Sequence, residues 1–258
     1  MSAILTATGL YKHFGGVKAV DGVSFEVEEG SSVSLIGPNG AGKTTVFNVL
    51  SGINALDKGE VYLAGARISG LKQHQVSIAG LGRTFQNIRL FQGLTVAENV
   101  MAAMDARARH GFWESVLRLP RFSREEQEHR GRVQEYLEAL GISRYANARP
   151  SELSYGYQRR VELARALACS PRVILLDEPA AGLNPGEVGT FIDLLNDLKE
   201  RYDLTLFIIE HRMQLVMSMS SHVYVMNFGQ LIAEGTPEEI QRDPVVIKAY
   251  IGEANATN

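Results

Sequence analysis

The chain has 258 residues, 45% of them apolar, which is enough to bury one large domain or a core plus a subdomain. The formal net charge of −3 argues against a nucleic-acid-binding surface spread over the whole protein. The single cysteine excludes an intramolecular disulfide and is typical of a reducing compartment.

Hydrophobic patterning predicts strands in the first part of the chain, the third of them buried. Four strands are expected, at 4–10, 23–27, 31–36 and 59–63. From about Thr95 to Leu140 the sequence turns to helix formers with frequent charges, and breakers near Pro120 and Ser123 divide it into at least two helices.

Alternation of strands and helices resumes after this segment. Val173–Asp177 is a continuous apolar run that ends in an acid, as is typical of a buried parallel strand. The later elements are expected to be a helix at 185–201, a strand at 204–209, a helix at 213–219, a strand at 222–227 and two short helices within 237–251. The pattern predicts an α/β core with a helical insertion.

A glycine-rich loop between the third strand and a helix carries the pattern G-x-x-x-x-G-K-[ST]. Its glycines let the backbone close around a polyphosphate, while amides at the helix start point toward the anion. Lys43 adds a cation for the β- and γ-phosphates, and the Thr44 hydroxyl can ligate Mg²⁺. A plain glycine-rich turn would not explain this spacing. The expected nucleotide contacts here are Gly37, Pro38, Asn39, Gly40, Ala41, Gly42, Lys43, Thr44 and Thr45.

Adjacent acids, Asp177 and Glu178, end the apolar strand beyond the insertion. Because ligand sites gather at the carboxyl ends of parallel strands, we expect this pair to face the phosphate loop. The first acid can hold Mg²⁺ directly or through water, and the second is then free to polarise an attacking water. Without the phosphate loop, the pair would equally suit a solvated turn.

Two further polar residues lie near the expected site. His211 follows a strand, where it can contact a γ-phosphate, and Gln86 precedes the helical insertion, where it can bind Mg²⁺ or water. Taken alone, either residue would be interpreted as structural.

Leu153-Ser-Tyr-Gly-Tyr-Gln158 completes a set of motifs that is typical of one family. The chain resembles the ATPase subunit of ATP-binding-cassette (ABC) transporters along essentially its full length. The matching motifs occur in family order: an aromatic before Gly15-Gly16, the phosphate loop, Gln86, this signature, Val173–Glu178, the Ala181–Asn184 turn and His211. Within the family it is most similar to the branched-chain amino-acid uptake type, through Arg83–Phe91, Leu94–Asn99, Ile209–His211 and Ala249–Ala254.

The resemblance implies a role for each matching residue. Phe14, and not Tyr11, matches the aromatic that stacks on adenine. Lys43, Gln86, Glu178 and His211 match the catalytic set, with Glu178 as general base and His211 as γ-phosphate sensor. Thr44, Gln86 and Asp177 match the magnesium contacts. Ser154 and Gly156 match signature residues that touch the γ-phosphate held by the opposite subunit. They open a predicted helix, and the N-terminus of a helix attracts anions.

Two positions depart from the usual family pattern. Tyr157 stands where the signature has glutamine, which puts in doubt a polar contact assigned to that position. Asn184 stands where many cassettes have aspartate, a change that we expect to weaken a hydrogen bond across the dimer.

The resemblance also implies a fold and an activity. The fold is α/β, a P-loop NTPase (RecA-like) core with an antiparallel β subdomain and a helical insertion. We assign 1–86 and 159–258 to the core and 87–158 to the helical subdomain, which ends in the signature. The implied activity is ATP hydrolysis with ATP and Mg²⁺, coupled to uptake of branched-chain or related amino acids by a protein bound peripherally at the cytoplasmic face of the cell membrane.

The expected partners are a second ATPase subunit in head-to-tail arrangement, transmembrane permease subunits and, indirectly, a substrate-binding protein, but no nucleic acid. The sequence leaves open whether the second subunit is a copy or a paralogue. It also leaves open another cargo, such as urea, another amide or a lipid, because the cassette does not touch the cargo. A soluble ABC ATPase acting on DNA or ribosomes is a further alternative, but such proteins typically carry two cassettes or a long coiled-coil insertion.

Overall fold

The computed structural model describes residues 2–105 and 120–254. These residues form two compact units. The first consists of the chain up to Gln86 and from Arg172 onward, and the second consists of residues 87–171.

The first unit holds two β-sheets. The smaller sheet is formed by β1 (Ala3–Phe14), β2 (Val17–Glu28), β4 (Lys58–Leu63) and β5 (Ala66–Arg67). It is antiparallel, in the order β2-β1-β4-β5. The larger sheet is formed by β3 (Ser32–Ile36), β6 (Leu81–Arg83), β7 (Val173–Asp177), β8 (Thr205–Ile209), β9 (His222–Asn227) and β10 (Gln230–Gly235). Its order is β10-β9-β3-β8-β7-β6, and only the pairing of β10 with β9 is antiparallel.

Six helices belong to the described part of the first unit, and the side chains of Asn184 and Thr236 each cap one of them. They are α1 (Lys43–Leu50), α2 (Gln73–Ala79), α6 (Pro185–Arg201), α7 (Met213–Met219), α8 (Pro237–Arg242) and α9 (Pro244–Ala254). Asn184 accepts a hydrogen bond from the backbone amide of Glu187 at 3.0 Å, and a proline at the first helical position of α6 supplies the fixed φ that a helix needs. Thr236 caps α8 in the same way through Glu239.

The core of the first unit lies between the two sheets and α1. Strands β3, β7 and β8 are buried along their whole length, as expected of parallel strands covered on both faces. Phe207 of β8 lies between Phe25 of β2 and Phe47 of α1, with ring centroids 5.1 and 5.2 Å apart. Burial of each ring stabilises the fold by about 1.5–3 kcal/mol, so this cluster fixes α1, and the loop before it, against the sheet.

The second unit is helical. Its elements are α3 (Val96–Asp105), α4 (Pro120–Ala139), α5 (Tyr155–Ala168) and short 3₁₀ turns at Ser143–Tyr145 and Pro150–Glu152. Asn99 is fully buried and fastens the segment before α3, since its amide donates to the carbonyls of Phe91 and Thr95 and accepts from the Phe91 amide. A helix begins at Pro120 and continues through Ser123, so Ser123 does not break the helical stretch as the sequence predicted. The rest of the predicted helical stretch, 106–119, lies outside the described residues.

The helical unit ends later in the chain than the sequence predicted. We assigned 159–258 to the core, whereas α5 runs unbroken from Tyr155 to Ala168 and belongs wholly to the second unit. The physical reason is packing, because α5 buries Val161, Ala164 and Leu167 and contacts α3 and α4. In the described part of the chain, no helix has the length and apolar character needed to cross a membrane.

Candidate functional site

The phosphate loop, residues 37–42, joins β3 to α1 in a shape that only glycine permits at two points. Gly37 has a φ of +146°, and a Cβ there would lie 2.1 Å from the carbonyl oxygen of Met226. Gly42 has a φ of +105°, and a Cβ there would lie 2.1 Å from the carbonyl oxygen of Ala19. The loop is therefore pressed against its neighbours, and any side chain at these positions would push it out of place.

Lys43 is the first residue of α1 and is buried. Its Nζ donates hydrogen bonds to the carbonyl oxygens of Gly37 at 2.6 Å and Pro38 at 2.8 Å, so the ammonium is held inside the loop. The first turn of α1 contains no acidic residue. The exposed amides of this helix start and the lysine charge together make a site that attracts an anion.

The carboxyl ends of three parallel strands meet beside this loop. Ile209 at the end of β8 is in register with both Leu35 of β3 and Asp177 of β7. This register places the residues that follow each strand at one edge of the sheet. The phosphate loop follows β3, Glu178 follows β7 and His211 follows β8.

Two other predicted catalytic side chains, those of Gln86 and His211, lie beside Glu178. The amide Nε2 of Gln86 donates to Glu178 Oε2 at 2.9 Å, and His211 Nδ1 lies 3.9 Å from Glu178 Oε1. The backbone of Glu178 has a φ of +47°, a left-handed conformation that costs of order 1–3 kcal/mol for a residue with a side chain. Strain at this position is consistent with a side chain that the fold holds in a required direction.

Asp177 forms a buried pair that the sequence analysis did not foresee. Its Oδ2 accepts a hydrogen bond from the guanidinium of Arg83 at 3.0 Å, with both side chains nearly inaccessible to solvent. Arg83 also donates to Asn48 Oδ1 at 2.9 Å and to Ser51 Oγ at 2.7 Å. One guanidinium therefore ties the end of β7 to α1, the helix that follows the phosphate loop. The sequence signal that could have revealed this pair is an arginine in β6, whose other residues are a leucine and a glycine.

Glu210 is a second functional neighbour that the sequence analysis missed. The carboxylate is fully buried and accepts hydrogen bonds from the backbone amides of Ala180 at 3.1 Å, His211 at 2.9 Å and Arg212 at 2.9 Å. It therefore joins the segment after β7 to the segment after β8, and positions His211 relative to Glu178. The signal was an acid directly after a buried strand, the same pattern that marked Asp177.

A cavity of about 560 Å³ opens over the phosphate loop, Gln86 and Glu178, whereas Asp177, Glu210 and His211 are not among its lining residues. Its walls are residues 39–45 of the loop and α1, then Gln86, Glu178, residues 17–19 and Phe228. This volume falls in the range of small-molecule and cofactor sites. The cavity thus combines an anion-attracting loop with a carboxylate and an amide, which is the arrangement that phosphoryl transfer to water requires.

The sequence matches known families in two places. The family described as ABC transporter matches residues 20–181, more than half of the chain. A second family, described as branched-chain amino acid ATP-binding cassette transporter, matches residues 230–256. The chain belongs to the ABC transporter family.

Relatives and solved structures agree with this assignment. The cassette is 45% identical to the high-affinity branched-chain amino acid transport ATP-binding protein BraF of Pseudomonas aeruginosa, over 97% of this chain and 98% of that protein. It is similar to the crystal structure of the ADP conformation of an ABC-transporter cassette, with a TM-score of 0.84, 34% identity and coverage of 98% and 100%. A dimeric bacterial ABC-transporter cassette gives a TM-score of 0.77 at 26% identity, covering 90% of this chain and 98% of that one.

These comparisons confirm the resemblance and the fold class that the motifs predicted. The six-stranded sheet is the P-loop NTPase core of the cassette, the four-stranded sheet is its antiparallel β subdomain, and residues 87–171 contain its helical insertion. The family binds and hydrolyses ATP, and the cassette shares that activity. The roles of single residues remain predictions.

Phe14, the predicted adenine contact, ends β1 beside the cavity but does not line it. Its ring is 48% exposed, and its partner across the hairpin is Val17, which does line the cavity. The strand end is fixed by Asp57, which accepts hydrogen bonds from Lys12 Nζ at 2.9 Å and from the His13 amide at 2.6 Å. These two bonds hold the pKa of Asp57 below its usual range. Phe14 is thus exposed at the end of an anchored strand, and its strand partner, Val17, lines the cavity.

The signature residues belong to the second unit. Ser154 is the exposed N-cap residue of α5, and Gly156 lies in the first turn of that helix. Tyr157, where the cassette departs from the family pattern, packs inside the unit, with its ring 4.8 Å from that of Tyr145 and its hydroxyl accepting from Arg144 at 2.9 Å. The tyrosine therefore anchors the start of α5 to the preceding turn.

Asn184 is the other departure, and its side chain caps α6 through the Glu187 amide. Asparagine performs this capping as well as aspartate does.

Thr44, Gln86 and Asp177, the predicted magnesium contacts, offer hydroxyl, amide and carboxylate oxygens. Mg²⁺ prefers such ligands, and in nucleotide sites it is held by one or two carboxylates together with phosphates and water. Among the described residues no three His, Cys, Asp or Glu side chains are grouped to hold a metal. Thr44 and Gln86 line the cavity, whereas the Asp177 carboxylate is engaged by Arg83. The donor set fits a magnesium ion bound with a nucleotide.

Proposed function

We propose that this cassette is the ATP-hydrolysing subunit of an importer for branched-chain or related amino acids. The observation that carries the proposal is the convergence of the phosphate loop, Gln86 and Glu178 on one cavity. The likeness to BraF along nearly the whole chain, and the match of residues 230–256 to a branched-chain amino acid cassette family, support the cargo class.

The proposed reaction is ATP + H₂O → ADP + phosphate. Glu178 accepts the proton of the attacking water, while Lys43 and the loop amides stabilise the charge that develops on the γ-phosphate. Gln86 and His211 orient the water and the phosphate from either side of Glu178. Thr44, Gln86 and Asp177 would hold a magnesium ion, which would supply positive charge to neutralise the phosphate oxygens.

We further propose that two cassettes, identical or paralogous, bind two ATP molecules head to tail. Ser154 and Gly156 of one subunit would then contact the γ-phosphate on the phosphate loop of the other. A solved cassette that this chain resembles is dimeric, which supports the pairing of two cassettes. Transmembrane permease subunits would hold the dimer peripherally at the cytoplasmic face of the membrane and receive cargo from a substrate-binding protein. The cargo itself is recognised by those other subunits.

Uptake by cells that lack the gene tests the whole proposal. Restoring the wild-type gene should restore uptake of radiolabelled leucine, isoleucine and valine, whereas a Lys43→Ala gene should not, because the cation on the phosphates is lost. Urea, an amide and a lipid serve as parallel cargoes. The amino-acid assignment would be contradicted if the deletion strain took up leucine, isoleucine and valine normally but lost uptake of one of the other cargoes. The assignment as a transport ATPase would then still hold.

Phe14→Ala should weaken ATP binding by about 1–3 kcal/mol, the usual effect of losing a base–aromatic stack. Tyr11→Ala should affect binding much less, because Tyr11 packs inside the β subdomain, with its hydroxyl 3.2 Å from where a Cβ on Gly22 would lie. Titration calorimetry measures both affinities, and melting temperatures show whether Tyr11→Ala instead destabilises the fold. Equal loss of affinity in the two variants would reject Phe14 as the adenine contact.

A further inference from the structure

Phe228 is an aromatic residue that the motifs did not single out. It lies in the turn between β9 and β10, and 86% of its surface is exposed. Single exposed apolar residues are common and need no explanation by themselves. Phe228, however, is one of the residues that line the cavity above the phosphate loop.

The backbone of Phe228 is held in a conformation that a bulky residue rarely adopts. Its φ is +44°, in the left-handed region where glycine and asparagine are favoured. Gly229, the next residue, also has a positive φ, of +82°, where glycine carries no strain, so phenylalanine is the strained residue of the turn. An exposed ring gains little from packing, so the fold draws little benefit from the side chain that it holds there.

The turn is anchored to both walls of the cavity. The Gly229 amide donates to the carbonyl oxygen of Ala41 in the phosphate loop at 2.9 Å, and the Asp21 amide donates to the Gly229 carbonyl at 2.8 Å. A Cβ on Gly229 would lie 2.5 Å from the carbonyl oxygen of Lys18, so the turn packs tightly on the segment that lines the cavity. Asp21 also accepts a side-chain hydrogen bond from Gln230 at 3.2 Å. The backbone of this turn is therefore fixed relative to the phosphate loop.

We infer that Phe228 is a second aromatic contact for the nucleotide, on the side of the base and ribose. A phenyl ring offers no hydrogen-bond donor to a phosphate, and the phosphate side of the cavity is already supplied by Lys43 and the loop amides. The residues beside Phe228 in the cavity wall include Val17 and Ala19, which are apolar, and Val17 is the strand partner of Phe14. The chemistry of this wall suits a flat purine or the apolar face of a ribose. The inference rests on the proposed binding of ATP in this cavity.

Two substitutions remove the ring without disturbing the turn. Phe228→Asn and Phe228→Gly both accept a left-handed backbone, so they should fold, and Phe228→Gly should raise the melting temperature by about 2–4 °C by removing strain. Phe228→Tyr keeps the ring. Val245→Asn replaces another exposed apolar residue, one far along the chain on α9, and serves as the matched control.

Calorimetric titration without Mg²⁺, which prevents hydrolysis, separates the base from the phosphates. ATP and ADP should bind Phe228→Asn and Phe228→Gly roughly tenfold more weakly than wild type, near the lower end for a lost base–aromatic contact. Inorganic tripolyphosphate, which has no base, should bind all variants within about twofold of wild type, since the phosphate contacts remain. Phe228→Tyr and Val245→Asn should bind ATP as wild type does.

Three outcomes overturn the inference in different ways. Unchanged ATP affinity in Phe228→Asn and Phe228→Gly would show that the ring does not touch the nucleotide. Equal weakening of ATP and tripolyphosphate would show that the substitutions act through the Gly229–Ala41 bond on the loop instead. Failure of the wild-type protein to bind ATP at all would contradict the proposed function, and the inference with it.

Discussion

Glu178→Gln is expected to keep ATP affinity and to slow hydrolysis by ~10²–10⁴-fold, the usual effect of losing a general base. Glutamine has nearly the same shape as glutamate and can still pair with Gln86, which donates to Glu178 Oε2 at 2.9 Å in the wild type. It cannot accept the proton of an attacking water. Phosphate release measures the rate, titration calorimetry measures the affinity, and gel filtration should show accumulation of an ATP-bound dimer.

The matched control for Glu178→Gln is Glu200→Gln, which neutralises an exposed carboxylate on α6 and should leave hydrolysis unchanged. Near-normal turnover of Glu178→Gln would remove Glu178 from the role of general base. In that case another group near the cavity must take the proton of the water.

Ser154→Arg is expected to bind ATP and to lose hydrolysis almost completely. Lys43 and the phosphate loop are unchanged in this variant, so nucleotide binding remains. Ser154 is the exposed N-cap of α5, and a long cationic side chain there would displace the γ-phosphate of an opposing subunit from the helix start. Ser151→Arg adds the same charge at an exposed position three residues earlier and should keep activity.

Mixing two inactive variants tests assembly in trans. A Lys43→Ala chain combined with a Ser154→Arg chain forms one site with both changes and one site with neither. Steady-state phosphate release from the mixture should therefore recover in part, provided that a single intact site turns over. Full activity of Ser154→Arg alone at low protein concentration would reject the head-to-tail arrangement.

Several elements were too short or too irregular for a sequence pattern to reveal. Strand β6 has three residues, too few for an alternating pattern to show. Helix α2 buries Val76 alone among its seven residues, so it carries no apolar stripe. Strand β10 went unpredicted as a strand because its residues are only partly buried, which blurs the alternation. The end of the helical unit was misplaced for another reason, since α5 carries the signature in its first turn but continues along the same helix to Ala168.

By itself, the sequence determined the features that depend on neighbouring residues. The phosphate loop could be predicted because its glycines, Lys43 and the flanking strand and helix all lie within one short segment. Asp177 and Glu178 were readable because a buried strand ends at an acid, and parallel strands bring their carboxyl ends to one edge.

Only the tertiary structure decided the contacts that depend on how distant strands align. Arg83 and Asp177 are 94 positions apart, and they meet because β6 and β7 pair in parallel. Glu210 reaches Ala180 because Asp177 is in register with Ile209. Phe228 reaches the cavity because its turn is bonded to the phosphate loop, which lies nearly two hundred residues earlier in the chain. These strands are far apart in the chain, so their register depends on how their apolar faces pack into one core and cannot be seen within a single short segment.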